Sequence, residues 1–283
     1  MFSLSELIFF FLKILKLVYF FDLLIKMSKR LQGEYREILR TRGNKEMGLT
    51  FSIPEHDISQ ARCLVIPSRD SPYRGTFLDF SIDCSGKGKN GPYPTNPPAV
   101  KFETPRGRNH VRLHPNLYGC GKVCLSIINT WGEKGWCPVY TKHKLMTQVR
   151  SLCDDNPITY EPGHEKDDPN GAGAKNYSLV VSYRCVAYAV IEMMERLQDL
   201  PEEYREDMID EFNDNIDYYY EILHKFRNMD GEKISCFHFG ETVQYSKLKS
   251  SLDSLVELYR RSNASLDDDS IEPPFKKKRK VTQ

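Results

Sequence analysis

The sequence predicts an α+β fold, because a helical segment, several short strand-like runs and further helical segments follow one another along the chain. Residues 28–42 carry apolar side chains at helical spacing. Runs of strand-like composition come next, separated by clusters of Pro and Gly; they cover residues 49–53, 62–66, 76–82 and 100–102. Strands that precede a group of helices, with short connections, favour an antiparallel meander with helices beside it.

The first helix has a start signal and one apolar face. Ser28 supplies a side-chain oxygen that can cap the first turn. The apolar face is formed by Leu31, Tyr35, Ile38 and Leu39. We therefore expect one side of this helix to be buried.

Helical spacing returns in the second half of the chain. The predicted segments are residues 141–153, 176–198, 201–227 and 242–262. Pro201 suits the first turn of the third segment, because its missing N–H has no partner there in any case. The apolar face of the second segment consists of Tyr183, Ala187, Val190, Ile191 and Met194. The tyrosines at 218–220 are interpreted as core residues, since aromatic side chains at such spacing usually pack inside.

Composition excludes several classes of function. The chain has 283 residues with 40 basic and 39 acidic side chains, so its net charge of +1 gives no general attraction to nucleic acid. Eight cysteines are present without a Cys-x-x-Cys pair, and Cys120, Cys124 and His114 lack an evident fourth ligand. We expect no metal and no cofactor, and mostly buried, reduced thiols in an intracellular protein. Residues 85–98 contain three glycines without the Gly-Lys-Ser/Thr ending of a phosphate loop, so they predict a flexible insertion.

The two ends of the chain carry opposite signals. Residues 2–25 are strongly apolar but contain four charged side chains, and no signal-peptide cleavage pattern follows. Two interpretations stay open: weak contact with a membrane surface, or an extension upstream of a start at Met27. The tail beyond residue 263 is too polar to fold, and it ends in a basic run typical of a nuclear-import signal. That run is Lys276, Lys277, Lys278, Arg279 and Lys280. The tail predicts a protein of the nucleus and cytoplasm.

The chemistry of the chain is concentrated in residues 114–125. Asn116 stands eight residues before Cys124, in a glycine-containing loop that ends in an apolar run. This pattern suits a nucleophilic thiol with a nearby amide donor for a developing oxyanion. A cysteine phosphatase would need an arginine shortly after the nucleophile, and residues 125–131 contain none. A papain-like protease would need a histidine base for the thiol. The histidines at 110, 114, 143 and 164 leave that open, but neither signature of the cysteine proteases is present.

This loop closely resembles the active-site loop of ubiquitin-conjugating enzymes. His114-Pro115-Asn116 matches the family's His-Pro-Asn motif, and Cys124 falls where the family carries its thioester-forming cysteine. Further motifs appear in the family's order: the turns at residues 70–75 and 93–98, then a tryptophan-containing segment with Trp131 and Trp136. The resemblance runs from about residue 28 to residue 194. It implies the UBC fold, with an N-terminal helix, a four-stranded meander, the active-site loop and C-terminal helices.

The Z-type branch of the family is the most similar. Residues 121–127 resemble its Gly-Lys-Val-Cys-Leu-Ser-Ile segment, and residues 156–163 resemble its Asn-Pro…Glu-Pro-Gly segment. The implied organisation is an apolar extension (1–27), a conjugating core (28–198), a helical extension (199–262) and an acidic/basic tail (263–283). One departure concerns a loop that follows the helical segment 141–153 and that we call the gate segment. Small members of the family carry an acidic residue or Ser there. Thr159 and Tyr160 stand there instead, so which group positions the acceptor lysine stays open.

The resemblance implies a role for each residue of the loop. Cys124 accepts ubiquitin or a related modifier from an activating enzyme, and a lysine of a protein substrate then attacks the thioester, usually with a ligase present. Asn116 stabilises the oxyanion, whereas His114 and Pro115 shape the loop. Tyr73, Trp136 and Pro138 are the candidates for contact with partners. A non-catalytic scaffold that binds ubiquitin or a ligase is the alternative, which the presence of both Cys124 and Asn116 disfavours.

Overall fold

The structure is a computed structural model that describes residues 29–86, 93–104, 111–133, 135–237 and 239–264. The apolar N-terminal segment, the basic run at 276–280 and the centre of the glycine-containing insertion lie outside these ranges. Within the described part of the chain, no helix is long and apolar enough to cross a bilayer.

Helix α1 (Lys29–Thr41) leads into a four-stranded antiparallel sheet, as predicted. The strands are β1 (Leu49–Ser52), β2 (Gln60–Val65), β3 (Leu78–Asp83) and β4 (Ala99–Phe102), and they pair in chain order. The predicted apolar face of α1 is wrong at Leu39, which is 45% exposed. Glu34 is buried in its place, because its carboxylate accepts a hydrogen bond from the backbone N–H of Lys142 at 3.0 Å.

The two faces of the sheet are covered by different parts of the chain. Phe51, Cys63, Phe80 and Phe102 align across the four strands and form a buried apolar row. Helix α2 (Lys142–Leu152) packs against β2 and contributes three fully buried side chains to the same core. Side chains alternate along a strand, so the neighbouring positions point to the opposite face.

That opposite face is closed by residues beyond 200. Thr50 and Asp79 belong to one cross-strand row. Tyr204 Oη donates a hydrogen bond to Asp79 Oδ1 at 3.1 Å, and Thr50 Oγ1 donates one to Asp207 Oδ2 at 2.5 Å. Burial raises the pKa of Asp79, while the ion pair with Arg62 opposes that shift. A buried carboxylate therefore joins the sheet to the C-terminal part of the chain.

The long helix after the active-site region contains a π-helical section. Helix α3 (Ala172–Arg184) continues through a π-helix (Cys185–Ile191) into α4 (Glu192–Glu195). The predicted apolar face of this segment is buried throughout. The Ala189 carbonyl accepts a hydrogen bond from the backbone N–H of Phe77 at 2.9 Å, so the altered helix connects to the segment before β3.

The helix predicted over residues 201–227 is split in two. A short 3₁₀ turn (Glu202–Tyr204) leads into α5 (Arg205–Asp214), and α6 (Ile216–His224) follows. Asn215 separates them because its side chain replaces the regular backbone pairing. Its Nδ2 donates to the Glu211 carbonyl at 2.8 Å, and its Oδ1 accepts from Arg74 Nε at 2.7 Å.

Residues 233–242 form a hairpin that the sequence did not predict. Strands β5 (Lys233–Cys236) and β6 (Phe239–Thr242) pair antiparallel across a two-residue turn. Phe237 occupies the left-handed region there, with φ +52°. Such turns usually carry Asn or Gly, so the standard turn signal is missing from the sequence. Helix α7 (Tyr245–Ala264) then closes the described chain, in the place where a helix was expected.

The segment predicted as a helical extension shares one apolar core with the preceding residues. Phe212, Tyr219, Leu252 and Tyr259 are at most 4% exposed and belong to the same buried cluster as the sheet. Tyr219 Oη donates a hydrogen bond to the carbonyl of Gly75 at 2.7 Å. The sequence boundary near residue 198 therefore does not coincide with a break in packing.

Replacing Tyr219 by Phe tests this connection. The variant leaves the buried Gly75 carbonyl without its partner, so we expect the free energy of unfolding to fall by about 1–3 kcal/mol. Tyr220→Phe is the matched control, since Tyr220 is partly exposed and its hydroxyl bonds Asp253 at the surface. Chemical denaturation of both variants measures the difference. Equal losses of stability would contradict the assignment.

Candidate active site

The active-site loop is a small closed structure that places Asn116 opposite Cys124. The backbone N–H of Cys124 donates a hydrogen bond to the carbonyl of Asn116 at 2.9 Å, and Leu117 forms isolated bridges with both His114 and Val123. The loop turns at Gly121, with φ +87°. A Cβ atom there would lie 3.0 Å from the Phe102 carbonyl, so glycine lets the loop tip approach β4.

The side chain of Asn116 points at the residue predicted to be the nucleophile. Its Nδ2 donates a hydrogen bond to the backbone carbonyl of Cys124 at 2.7 Å. A half-buried amide therefore lies next to the position where an acyl group on the thiol would sit. The structure brings the two predicted residues together, and the oxyanion role of Asn116 stays a prediction.

Cys124 itself is 2% exposed and lies outside the continuous apolar core cluster. Its neighbour Leu125 is fixed by Thr130, whose Oγ1 accepts the Leu125 N–H at 2.8 Å and donates to the Leu125 carbonyl at 3.1 Å. A 3₁₀ turn (Ser126–Ile128) follows directly. Because an attacking thiolate must contact its electrophile, surrounding atoms have to move before a large acyl donor can reach Sγ.

His114 is a fully buried side chain with a structural position. Its Nδ1 accepts a hydrogen bond from the backbone N–H of Asn116 at 3.0 Å, and its ring packs between Tyr73 and Tyr160 with centroid distances of 5.7 and 4.8 Å. Burial lowers the pKa of His114 to about 3, so the imidazole is neutral near pH 7. The neutral form is required, because a protonated Nδ1 cannot accept the Asn116 N–H. This placement agrees with the expected loop-shaping role of His114 and its buried neighbour Pro115.

The side chain of Arg112 binds the backbone of the active-site loop. The sequence did not predict this role. Its Nη2 donates to the Pro115 carbonyl at 2.6 Å and its Nε to the His114 carbonyl at 3.3 Å. Its Nη1 lies 3.7 Å from Glu161 Oε1, and the guanidinium stacks on Tyr118 at 4.8 Å. A single arginine two residues before His114 has no sequence signature, so only the fold reveals this role.

The hydroxyl groups of the gate segment form hydrogen bonds with residues that lie just before them in the chain. Thr159 Oγ1 donates to the Asn156 carbonyl at 2.8 Å, and Tyr160 Oη donates to Asp154 Oδ2 at 2.8 Å. Both residues lie on a 3₁₀ turn (Pro157–Tyr160), where the Tyr160 ring contacts His114. The structure thus brings the gate segment against the active-site loop.

The expectation that Tyr73 faces a partner is wrong. Tyr73 is 0% exposed, because its ring packs against His114 inside the core. Trp136 is half-buried, and its Nε1 donates to the Pro94 carbonyl at 2.9 Å. Pro138 is exposed, as is Val139 at 70%. The partner-facing prediction is therefore narrowed to the segment that carries Trp136 and Pro138.

The other cysteines differ in how far their side chains are buried. Burial raises the pKa of the Cys63, Cys153 and Cys185 thiols, which suits packing roles. Cys120 is exposed at the tip of the active-site loop, four residues before Cys124. Among the described residues, no group of three or more His, Cys, Asp or Glu side chains is arranged to hold a metal ion.

The buried His114 predicts acid sensitivity. Its pKa is lowered on folding, so the unfolded chain binds a proton below about pH 6.5 that the folded protein excludes until about pH 3. The contribution of His114 to the free energy of unfolding is therefore fully present above pH 6.5. It declines as the pH falls, by up to about 1.4 kcal/mol per pH unit. Urea denaturation from pH 7 to pH 5 should show a smaller slope for His114→Gln. The exposed His224→Gln should keep the wild-type slope, and identical slopes for all three proteins would sink this interpretation.

Comparison with known proteins places this geometry in a family. Residues 30–167 match the family model "Ubiquitin-conjugating enzyme". A Xenopus tropicalis protein named "Ubiquitin-conjugating enzyme E2 Z" is 32% identical over 212 residues, covering 75% of this chain and 65% of that protein. The Homo sapiens protein of the same name is 33% identical over 229 residues, covering 78% of this chain and 62% of that protein.

A more distant similarity involves a much larger protein. The human "Dual E2 ubiquitin-conjugating enzyme/E3 ubiquitin-protein ligase BIRC6" is 32% identical over 148 residues, which are 50% of this chain and 3% of that protein. The chain spans somewhat less than two thirds of the length of the E2 Z relatives it matches. The family motifs, the four-stranded meander and the matched region agree with one another, and the chain belongs to the ubiquitin-conjugating enzyme family.

Proposed function

We propose that this protein carries ubiquitin, or a ubiquitin-like modifier, as a thioester on Cys124 and transfers it to lysine. One observation carries the proposal: the Asn116 amide donates a hydrogen bond to the Cys124 carbonyl at 2.7 Å. That contact keeps a donor beside the only thiol that the loop presents opposite an amide. A non-catalytic scaffold would not need this pairing.

The reaction consists of two acyl transfers. The Cys124 thiolate attacks the C-terminal carbonyl of the modifier, which is bound to an activating enzyme as a thioester, and the thiol of that enzyme leaves. A lysine amine then attacks the new thioester, an amide bond forms, and the Cys124 thiolate leaves while the amine proton passes to solvent. ATP is consumed earlier, by the activating enzyme.

Asn116 acts in the second transfer. The tetrahedral intermediate carries negative charge on the former carbonyl oxygen, and a fixed N–H donor stabilises it. The amide that donates to the Cys124 carbonyl is thus the group we assign to the acyl oxygen on Sγ of the same residue. The buried His114 accepts the Asn116 N–H and Arg112 binds the neighbouring carbonyls, so the backbone of Asn116 stays fixed meanwhile.

The acceptor side of the site departs from the family pattern. Thr159 and Tyr160 form hydrogen bonds within their own segment, and the nearby carboxylate of Asp154 accepts the Tyr160 hydroxyl. The turn itself contains no acidic side chain, so the group that positions the acceptor lysine stays open. The surface with Pro138 and Trp136 is the proposed contact for the activating enzyme or a ligase.

Replacement of Cys124 tests the first transfer. With ubiquitin, an activating enzyme and ATP, the wild-type protein should form an adduct that reductant removes, and Cys124→Ala should form none. Cys124→Lys should hold ubiquitin in a reductant-resistant bond. Cys120→Ala, which removes the exposed thiol of the same loop, should charge normally. An adduct that persists in Cys124→Ala, or that depends on Cys120, would contradict the assignment.

Replacement of Asn116 tests the second transfer. Asn116→Ala should still charge, but discharge of the preformed thioester to free lysine should slow about 100- to 1,000-fold, because one oxyanion donor is lost. Single-turnover discharge, followed on non-reducing gels, measures the rate. Asn44→Ala removes an amide at a distant helix cap and should behave as wild type. Normal discharge by Asn116→Ala would remove the amide from the mechanism.

A further inference from the structure

Two separate routes connect the C-terminal hairpin (β5 and β6) to the active-site loop. The first is the buried side chain of Arg184 on α3. Its Nε donates to the backbone carbonyl of Arg112 at 3.3 Å, while its Nη1 donates to the Gly240 carbonyl at 2.8 Å and pairs with Glu241 Oε2 at 3.1 Å. Arg184 is 5% exposed, and its guanidinium stacks on Tyr188 at 5.6 Å. One guanidinium thus joins the start of the loop to strand β6.

The second route begins at the hairpin tip. The Phe237 ring lies 4.4 Å from the His164 ring and 5.7 Å from the Tyr177 ring. Tyr177 Oη donates to Glu161 Oε1 at 2.9 Å, and this carboxylate pairs with the Arg112 side chain at 3.7 Å. The aromatic tip therefore touches both the segment after the gate and the partner of Glu161.

The two routes meet at one residue. Arg184 holds the backbone of Arg112, and the Phe237–Tyr177–Glu161 chain holds its guanidinium. That guanidinium in turn binds the carbonyls of His114 and Pro115, the two residues that precede Asn116. Breaking a buried ion pair is costly, because it leaves an uncompensated charge inside the protein.

The conformation of Phe237 indicates that its ring is held in place. A bulky side chain at φ +52° is strained relative to an ordinary backbone conformation. Residues in such conformations persist when surrounding contacts fix them, and they concentrate at functional sites. Phe237 is nevertheless 50% exposed, so burial of the ring alone does not account for its position.

We propose that the hairpin is a positioning element of the active site and that Phe237 and Arg184 are positioning residues for the transfer step. They fix Arg112, which fixes the carbonyls preceding Asn116 and so the aim of its amide at Cys124. The C-terminal part of the chain then sets the rate of transfer to lysine without touching the acyl group. This inference rests on the proposed thioester chemistry.

The test uses full-length protein, charged with ubiquitin and chased with free lysine at several concentrations. Phe237→Gly removes the ring, while glycine keeps the left-handed turn without strain. We expect the maximal discharge rate to fall on the order of tenfold, because a small misplacement of a catalytic group is costly. The KM for lysine and the extent of charging should stay at wild-type values. Phe237→Tyr should restore the rate, and Ser235→Ala, on the exposed side of the same hairpin, should not change it.

A second readout does not require charging. The side-chain amide resonances of Asn116, assigned by their loss in Asn116→Ala, should shift in uncharged Phe237→Gly and return in Phe237→Tyr. If the wild-type protein fails to charge, the proposed function fails, yet this shift still decides the coupling. Unchanged discharge, a raised KM with an unchanged maximal rate, or unmoved Asn116 resonances would each overturn the proposal. A discharge rate that merely follows a lowered unfolding temperature would do so as well.

Discussion

The contact between Arg112 and Glu161 is the constraint on which the active-site region depends. The carboxylate is 1% exposed and the guanidinium half-buried, so the pair stabilises the fold only while each charge keeps its partner. Through this pair the segment that enters the loop is tied to the segment that follows the gate. The hydrogen bonds from Arg112 to two successive carbonyls then leave the intervening backbone little freedom. The Arg112 side chain thus ties the loop backbone to the carboxylate of Glu161.

The buried polar groups of the sheet are also paired with residues from a distant part of the chain. Its apolar row packs against α2, whereas its polar row is completed by Tyr204 and Asp207 from the C-terminal part of the chain. Asp79 would be a costly residue on a buried strand without Arg62 and Tyr204. Residues that lie far apart in sequence therefore satisfy each other's buried polar groups. Helices α5, α6 and α7 therefore contribute to the same buried core as α1 and α2.

Much of the architecture was predictable because its signals are local. Alternating strands between Pro and Gly clusters gave the meander, and the spacing of Asn116 and Cys124 gave the loop. The predicted helix bounds and buried faces were wrong where contacts with distant residues override the local preference. Asn215 divides a helix because Arg74 and Glu211 use its amide, and Glu34 replaces Leu39 on the buried face of α1 because Lys142 needs an acceptor.

The candidate site followed the same division. The spacing of Asn116 and Cys124 predicted that the two residues lie together, which the structure shows, while their catalytic roles stay predictions. Tyr73, in contrast, was assigned to the surface because the motif that contains it has the composition of a turn. The structure buries it against His114. Arg184 and the hairpin could not be found in this way, since Arg184 bonds residues more than fifty positions away on both sides. Arg112 could not be found either, because the fold alone brings it to Glu161. A turn built on Phe237 also carries none of the usual hairpin residues.

The shared core has a consequence for synthesis of the protein. A ribosome releases the chain from its N-terminus, so residues 114–125 emerge long before Leu252 and Tyr259. These two side chains complete the buried cluster to which Leu117 and Val123 also belong. Until Tyr259 emerges, the Phe212 ring lacks the contact that it makes in the folded protein, where the two ring centroids lie 6.1 Å apart. Domains usually fold as units once their last core element is available. The packing beneath residues 114–125 is therefore complete only after residues 252–259 have left the exit tunnel.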